Sequence, residues 1–195
     1  MIAQVIAQIT LVIWALWILL YWQGGLKIVR DIYHSARQHG LMDVGTLSLM
    51  VLSVATILFL LTGLLDASGL FRLKHTPALS VLGLIMVTIG FFGSFYSRNY
   101  LGKFWTAETS LKNDHQIIDS GPYRIVRHPI YTFALLLYLG TALVFLHWWV
   151  LMGVVLASYA YLVKARSEDQ YLQKELPGYE AYAQAVPYRL VPNLW

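Results

Sequence analysis

The chain has 195 residues, 58% of them apolar and only 12% charged, about half of the roughly 25% charged that a water-soluble domain carries. That is too little charge to coat a globule in water, and the formal charge of +4 points to lysines and arginines meeting lipid phosphates rather than nucleic acid. With no cysteine, disulfides, thiolate metal sites and cysteine nucleophiles are excluded.

A bilayer core of about 30 Å needs roughly 20 apolar residues in helical form. Residues 2–22 carry no charge and lack the basic leader and cleavage site of a signal peptide, so they read as a retained anchor. Within them Gln4 and Gln8, one turn apart, are expected to hydrogen-bond between helices. Trp14, Trp17, Tyr21 and Trp22 suit interfacial aromatic belts, as do Trp148 and Trp149 later in the chain. Residues 44–65 form the second apolar run. The third, 77–97, starts at Pro77, a residue suited to the first helical position. Along it Ser80, Gly83, Val87, Gly90, Ser94 and Ser97 recur at spacings of three and four, a small-residue face of the kind that lets membrane helices approach closely. Residues 129–163 contain no Lys, Arg, Asp or Glu. They are too long for one span and fit two helices turning near His147. The expected fold is therefore all-α, a polytopic integral membrane protein of five transmembrane helices. Its single embedded domain, 1–195, comprises two N-terminal spans (1–75) and a core (76–195) of three spans, a loop (98–128) and a helical tail (164–195). This partition puts twelve of the fourteen lysines and arginines on one side, so the positive-inside bias sets the N-terminus outside and the loop and tail in the cytoplasm.

A loop of some thirty residues far exceeds the usual 4 to 6 and points to function. Near its end runs Tyr123-Arg124-Ile125-Val126-Arg127-His128-Pro129-Ile130-Tyr131. The residue before a proline leaves the helical region and proline suits the first turn. His128 should therefore sit at the start of the fourth span, beside helix N–H groups able to cradle an anion such as a carboxylate. The bland reading is that Arg124, Arg127 and His128 only meet lipid head groups. The tail tips the balance, because Lys164, Arg166, Glu168 and Asp169 crowd both signs together where the last span ends. Lys164 and Glu168 could be a helix-surface ion pair, but lipid anchoring does not call for two acids. Facing the loop, a carboxylate and a cation could bind a cofactor ammonium and a substrate carboxylate respectively.

Gly121-Pro122-Tyr123-Arg124 through Arg127-His128-Pro129-Ile130-Tyr131 is followed by Arg166-Ser167-Glu168, Gly178-Tyr179-Glu180-Ala181-Tyr182 and Val186-Pro187. This series resembles the isoprenylcysteine carboxyl methyltransferase family, in a short prokaryotic form, over about residues 108–195. Related phospholipid N-methyltransferases share the blocks. The resemblance implies S-adenosylmethionine as cofactor, with S-adenosylhomocysteine as product. It puts cofactor contacts on His115, Gln116, Ile117, Ile118, Tyr123, His128, Pro129, Ile130, Tyr131 and Glu168. The family's substrate-binding arginine falls on Lys164 in an ungapped reading, with Arg166 two residues away, so both are carried as substrate-binding candidates. Arg166 and Glu168 are the implied catalytic residues. A family amide contact lands near Glu108, a departure from the pattern. No metal is implied. The chain also lacks the glycine-rich strand-to-helix turn of a soluble dinucleotide-type fold.

The implied reaction is methyl transfer to the carboxylate of a lipidated, prenylcysteine-like acceptor, forming a methyl ester at the cytoplasmic face. A carboxylate is ionised near neutral pH and needs only orientation by Lys164 or Arg166. An amine acceptor needs a base such as His128 or Glu168. The competing readings are a phospholipid N-methyltransferase, a nicotinamide-dependent sterol-type reductase and a non-enzymatic membrane scaffold. The expected partners are the lipid-modified cysteine substrate and membrane lipids.

Overall fold

A computed structural model of the chain describes residues 2–22, 33, 36–37, 44–68, 76–106, 111 and 114–195. Its main elements are the helices α1 (Ile2–Trp22), α2 (Val44–Ala67), α3 (Pro77–Leu101), α4 (Pro129–Phe145), α5 (Trp148–Glu175) and α6 (Tyr179–Ala185), with short 3-10 turns at Gly102–Phe104 and Gly121–Arg124. No strand occurs among the described residues. Glu108, Lys112 and most of the charged residues counted in the loops after the first and second spans lie outside them, as do the side chains of Tyr21 and Trp22.

Four helices, α1, α2, α3 and α5, are long and apolar enough to cross a membrane, and α4 is a shorter apolar helix. At 1.5 Å per residue α4 spans about 26 Å, and α5 about 42 Å. About the last two turns of α5 therefore project beyond a hydrocarbon core of about 30 Å. The turn between α4 and α5 falls at Leu146 and His147, where Leu146 adopts a left-handed conformation (φ 42°) and its N–H returns to the Ala142 carbonyl at 2.8 Å. That is an αL cap closing one helix so the next can run back.

Large apolar side chains such as Val12, Leu19, Ile57, Ile85 and Val155 are exposed on the outer faces, the arrangement for helices solvated by lipid. The bundle interior centres on Trp14. Its ring stacks on Phe59 at 5.8 Å and meets Tyr138 edge-on at 5.2 Å, while its indole N–H donates to Thr141 Oγ1 at 2.9 Å. Trp14 and Trp17 are thus buried in the bundle rather than at the interfacial belt, because the groove beside α2 and α4 is wide enough for an indole and supplies Trp14 with an acceptor. Trp148 is exposed and Trp149 stacks on His147 at 4.1 Å. Gln4 and Gln8 lie on the exposed face of α1 instead of between helices.

The small-residue face of α3 packs against α4. Ser80, Gly83, Val87, Gly90, Ser94 and Ser97 are all buried. A Cβ on Gly83 would lie 2.6 Å from the Gly140 carbonyl oxygen, and one on Gly90 2.6 Å from the Leu137 nitrogen. Backbones this close are reached only through residues without side chains. α1 packs on α3, α2 and α4, and α2 runs along α5, so the two N-terminal spans are built into the bundle that carries the loop and tail.

Candidate active site

The projecting end of α5, the segment 115–128 and α6 enclose a cleft with roughly 820 Å³ of empty space, open solvent at its mouth included. One wall carries Phe104, Trp105, His115, Gln116, Ile117 and Ile118; the opposite wall carries Tyr171, Leu172, Leu176, Tyr179 and Tyr182. Tyr123, Arg127, His128, Ile130, Tyr131 and Glu168 also line it.

The geometry follows from helix spacing. Lys164 and Glu168, four residues apart, share a face of α5 and pair at 3.0 Å. Both Glu168 oxygens lie within hydrogen-bond reach of the Tyr131 hydroxyl, at 2.6 and 2.8 Å, and His128 Nδ1 faces Glu168 at 3.5 Å. The His128 ring stacks parallel to Tyr131 at 5.4 Å. Asp169, 1% exposed, forms the hub behind this floor. Arg127 Nη2 and Arg189 Nε donate to its Oδ2 at 2.7 and 2.6 Å, and the Tyr179 hydroxyl donates to Oδ1 at 2.7 Å. His128 Nε2 completes the set at 2.9 Å from Oδ1. A carboxylate so deeply buried persists only when its lone pairs are filled in this way.

These contacts set protonation states. Burial alone would lower the His128 pKa, but the hydrogen bond to Asp169 and the facing Glu168 outweigh it and raise the value above the ordinary 6.5. This favours the imidazolium, whose two N–H groups can donate toward both acids. Burial, followed by the Asp169 charge, pushes the Tyr179 phenol well above its usual value, so it stays a donor.

The cleft brings together His115, Gln116, Ile117, Ile118, Tyr123, His128, Ile130, Tyr131 and Glu168, nine of the ten residues expected to hold a cofactor. Pro129 is not in the lining; it is the first residue of α4. Lys164 is buried beside Glu168. Arg166 is exposed, its guanidinium 5.3 Å from the Trp195 ring, because two residues turn a helix by about 200° and carry it to the far face of α5. The anion cradle expected at the start of α4 is filled from the tail: the Arg127 and His128 N–H groups donate to the carbonyls of Tyr188 and Arg189, both at 2.9 Å. Arg127 and Asp169 emerge as the structural centre, which the sequence marked only as neighbours of His128 and Glu168. Tyr179 and Tyr182, three apart on α6, bind Asp169 and the Tyr123 carbonyl; their spacing and their place in the Gly178–Tyr182 block of the resemblance were the available signals. Among the described residues no group of three or more His, Asp or Glu side chains is arranged to hold a metal ion.

Comparison with known proteins sets the site in a family. Residues 78–177, just over half of the chain, match the family described as phospholipid methyltransferase. Over 113 residues the chain is 28% identical to the cobalt-zinc-cadmium resistance protein CzcN of Cupriavidus metallidurans, an alignment covering 57% of this chain and 49% of that protein. The chain thus spans about half the length of this curated relative. The matched family segment runs from the start of α3 through α5 and so contains the α3–α4 seam, the cleft wall, Arg127, His128, Tyr131, Lys164, Glu168 and Asp169. The chain belongs to the phospholipid methyltransferase family.

Proposed function

We propose that this protein transfers a methyl group from S-adenosylmethionine to the carboxylate of a lipidated, prenylcysteine-like acceptor, releasing S-adenosylhomocysteine and a methyl ester. The cleft residues fit the cofactor: a partly buried acid, Glu168, stands on the floor among aromatic side chains, suited to a cationic ligand with a flat ring system. When bound, that cofactor supplies a methyl group already activated on a sulfonium. The protein's own task is to orient the acceptor and keep water out. Glu168, His128, Tyr131 and the segment 115–118 are the cofactor contacts in this reading. Lys164, buried on the same face of α5, orients the acceptor carboxylate, and Arg166, on the other face, does not touch it. Tight ion pairing leaves no role as a base for His128 or Glu168, and this observation carries the choice of an acceptor that is ionised beforehand. The clustering of lysine and arginine in the sequence supports a cytoplasmic cleft and an N-terminus outside.

A second reading, methyl transfer to a phospholipid amine, is favoured by the family description and by one residue. His115, stacked on Phe104 at 4.9 Å in the cleft wall, would be the base that an amine requires.

Purified protein in lipid is to be given methyl-labelled S-adenosylmethionine with farnesylated cysteine or phosphatidylethanolamine, and the product treated with base. Volatile labelled methanol from the farnesylated acceptor, reduced at least tenfold by Glu168→Gln and by Lys164→Met, is the expected result, with His115→Gln raising the KM for the cofactor but leaving kcat within a few fold. Base-stable label in the phospholipid, abolished by His115→Gln, would replace the carboxylate reading with the amine one. No protein-dependent label with either acceptor would overturn both.

A further inference from the structure

We infer that the loop 190–195 is a membrane anchor whose partner is the boundary between phospholipid head groups and acyl chains. The inference rests on the spanning of the bilayer by α4 and not on the methyl-transfer reading. Its starting point is depth. Thr132 Oγ1, in the first turn of α4, donates to the Leu190 carbonyl at 2.6 Å. α4 is about 26 Å long, shorter than a hydrocarbon core of about 30 Å, so its first turn lies at the edge of that core with nothing to spare. Leu190 is therefore held at the same depth.

At this depth the next residues expose apolar side chains, Val191 at 42% and Leu194 at 79%, with Ile125 of the preceding segment at 59%. None of the three lines the cleft, and at this level lipid would cover them. The loop's backbone is suited to such a place. The N–H groups of Arg189, Leu190 and Val191 converge on the Trp195 backbone oxygen at 3.0, 3.0 and 3.1 Å, and those of Leu194 and Trp195 return to the Val191 carbonyl at 3.2 and 3.1 Å. Irregular backbone near hydrocarbon requires this internal pairing. Beside it the Trp195 ring lies 5.3 Å from the Arg166 guanidinium and 5.1 Å from that of Arg189, an aromatic ring with cations placed to meet lipid phosphates. Through the bond from Arg189 to Asp169 the anchor is tied to the floor of the cleft.

Because the chain has no cysteine, a single cysteine gives one labelling position without background. Leu194→Cys and, as a water-facing control, Gln184→Cys on α6 are to be nitroxide-labelled in full-length protein, in nanodiscs of phosphatidylcholine and phosphatidylglycerol. The nitroxide at 194 is expected to collide more with oxygen, which partitions into lipid, than with a water-soluble nickel chelate; the one at 184 should show the reverse. Nickel access at 194 equal to that at 184 would overturn the anchor by putting the loop in water. Shielding at 194 from both reagents would overturn it in favour of cover by a second copy or another part of the chain.

Discussion

Helix α4 is held at its two ends by opposite means. In the membrane, Gly83, Gly90 and Gly140 let α3 and α4 touch backbone to backbone, and shape alone makes the contact. At its N-terminal end, the residues leading into the same helix, Arg127 and His128, are held by the buried charge of Asp169. The difference follows from the solvent. Lipid gives no hydrophobic drive between helices, so association there depends on close van der Waals contact. Where water reaches the helix ends, polar partners compete, and a lasting contact needs charges buried together with their hydrogen bonds complete. The seam should therefore ignore pH, and the hub should answer to it.

The largest expected effect breaks the hub. Asp169→Ala leaves Arg127, His128 and Arg189 without their common acceptor, and removing one partner of a buried ion cluster costs about 3–5 kcal/mol. Hydrogen exchange across residues 176–190 should quicken sharply while the buried stretch of α3 keeps its protection. If the tail kept its protection as well, Asp169 would not be what holds it. A smaller effect is expected from Gly140→Ala. The new Cβ would stand 2.6 Å from the Gly83 carbonyl oxygen and 2.7 Å from the Val87 nitrogen, and no rotamer relieves a clash with backbone. Overpacking of this kind costs about 1–3 kcal/mol, to be seen as a lowered Tm in detergent that is the same at pH 6 and pH 8. A pH-dependent loss would contradict the division between seam and hub.

The smallest effect sharpens the same contrast. The His128 pKa is raised in the folded protein, so its contribution to stability is complete below the unfolded value of about 6.5 and is lost as pH rises through the folded value. Thermal unfolding followed from pH 6 upward should show Tm falling, with the slope reduced in His128→Gln. A slope unchanged by that substitution would assign the pH dependence to another group.

Much of this arrangement was legible in the chain. The apolar runs, the uncharged stretch broken at His147 and the small-residue face from Ser80 to Ser97 depend on period and length, which a sequence displays directly. The segment 115–118 and the pair His128 and Tyr131 were legible through resemblance, and they line one cleft. Trp14 was read wrongly because an aromatic residue in an apolar run has the same appearance whether it faces lipid or a groove; only Thr141 and Phe59, supplied by other helices, distinguish the two. Asp169 stood next to Glu168 in plain view. Its role was hidden because Arg127, Arg189 and Tyr179 reach it across 42, 20 and 10 residues.

The sequence by itself determined the solvent of this protein, the number of its apolar helices and the end of the bundle where charge collects, since these follow from local composition and a fixed rise per residue. Tertiary structure alone decided which of two neighbouring cations shares a face with Glu168, which acid points into the cleft and which into the hub, and how the tail closes over the start of α4. Each of those depends on the direction of a side chain relative to a partner distant in sequence, and direction exists only once the helices have packed.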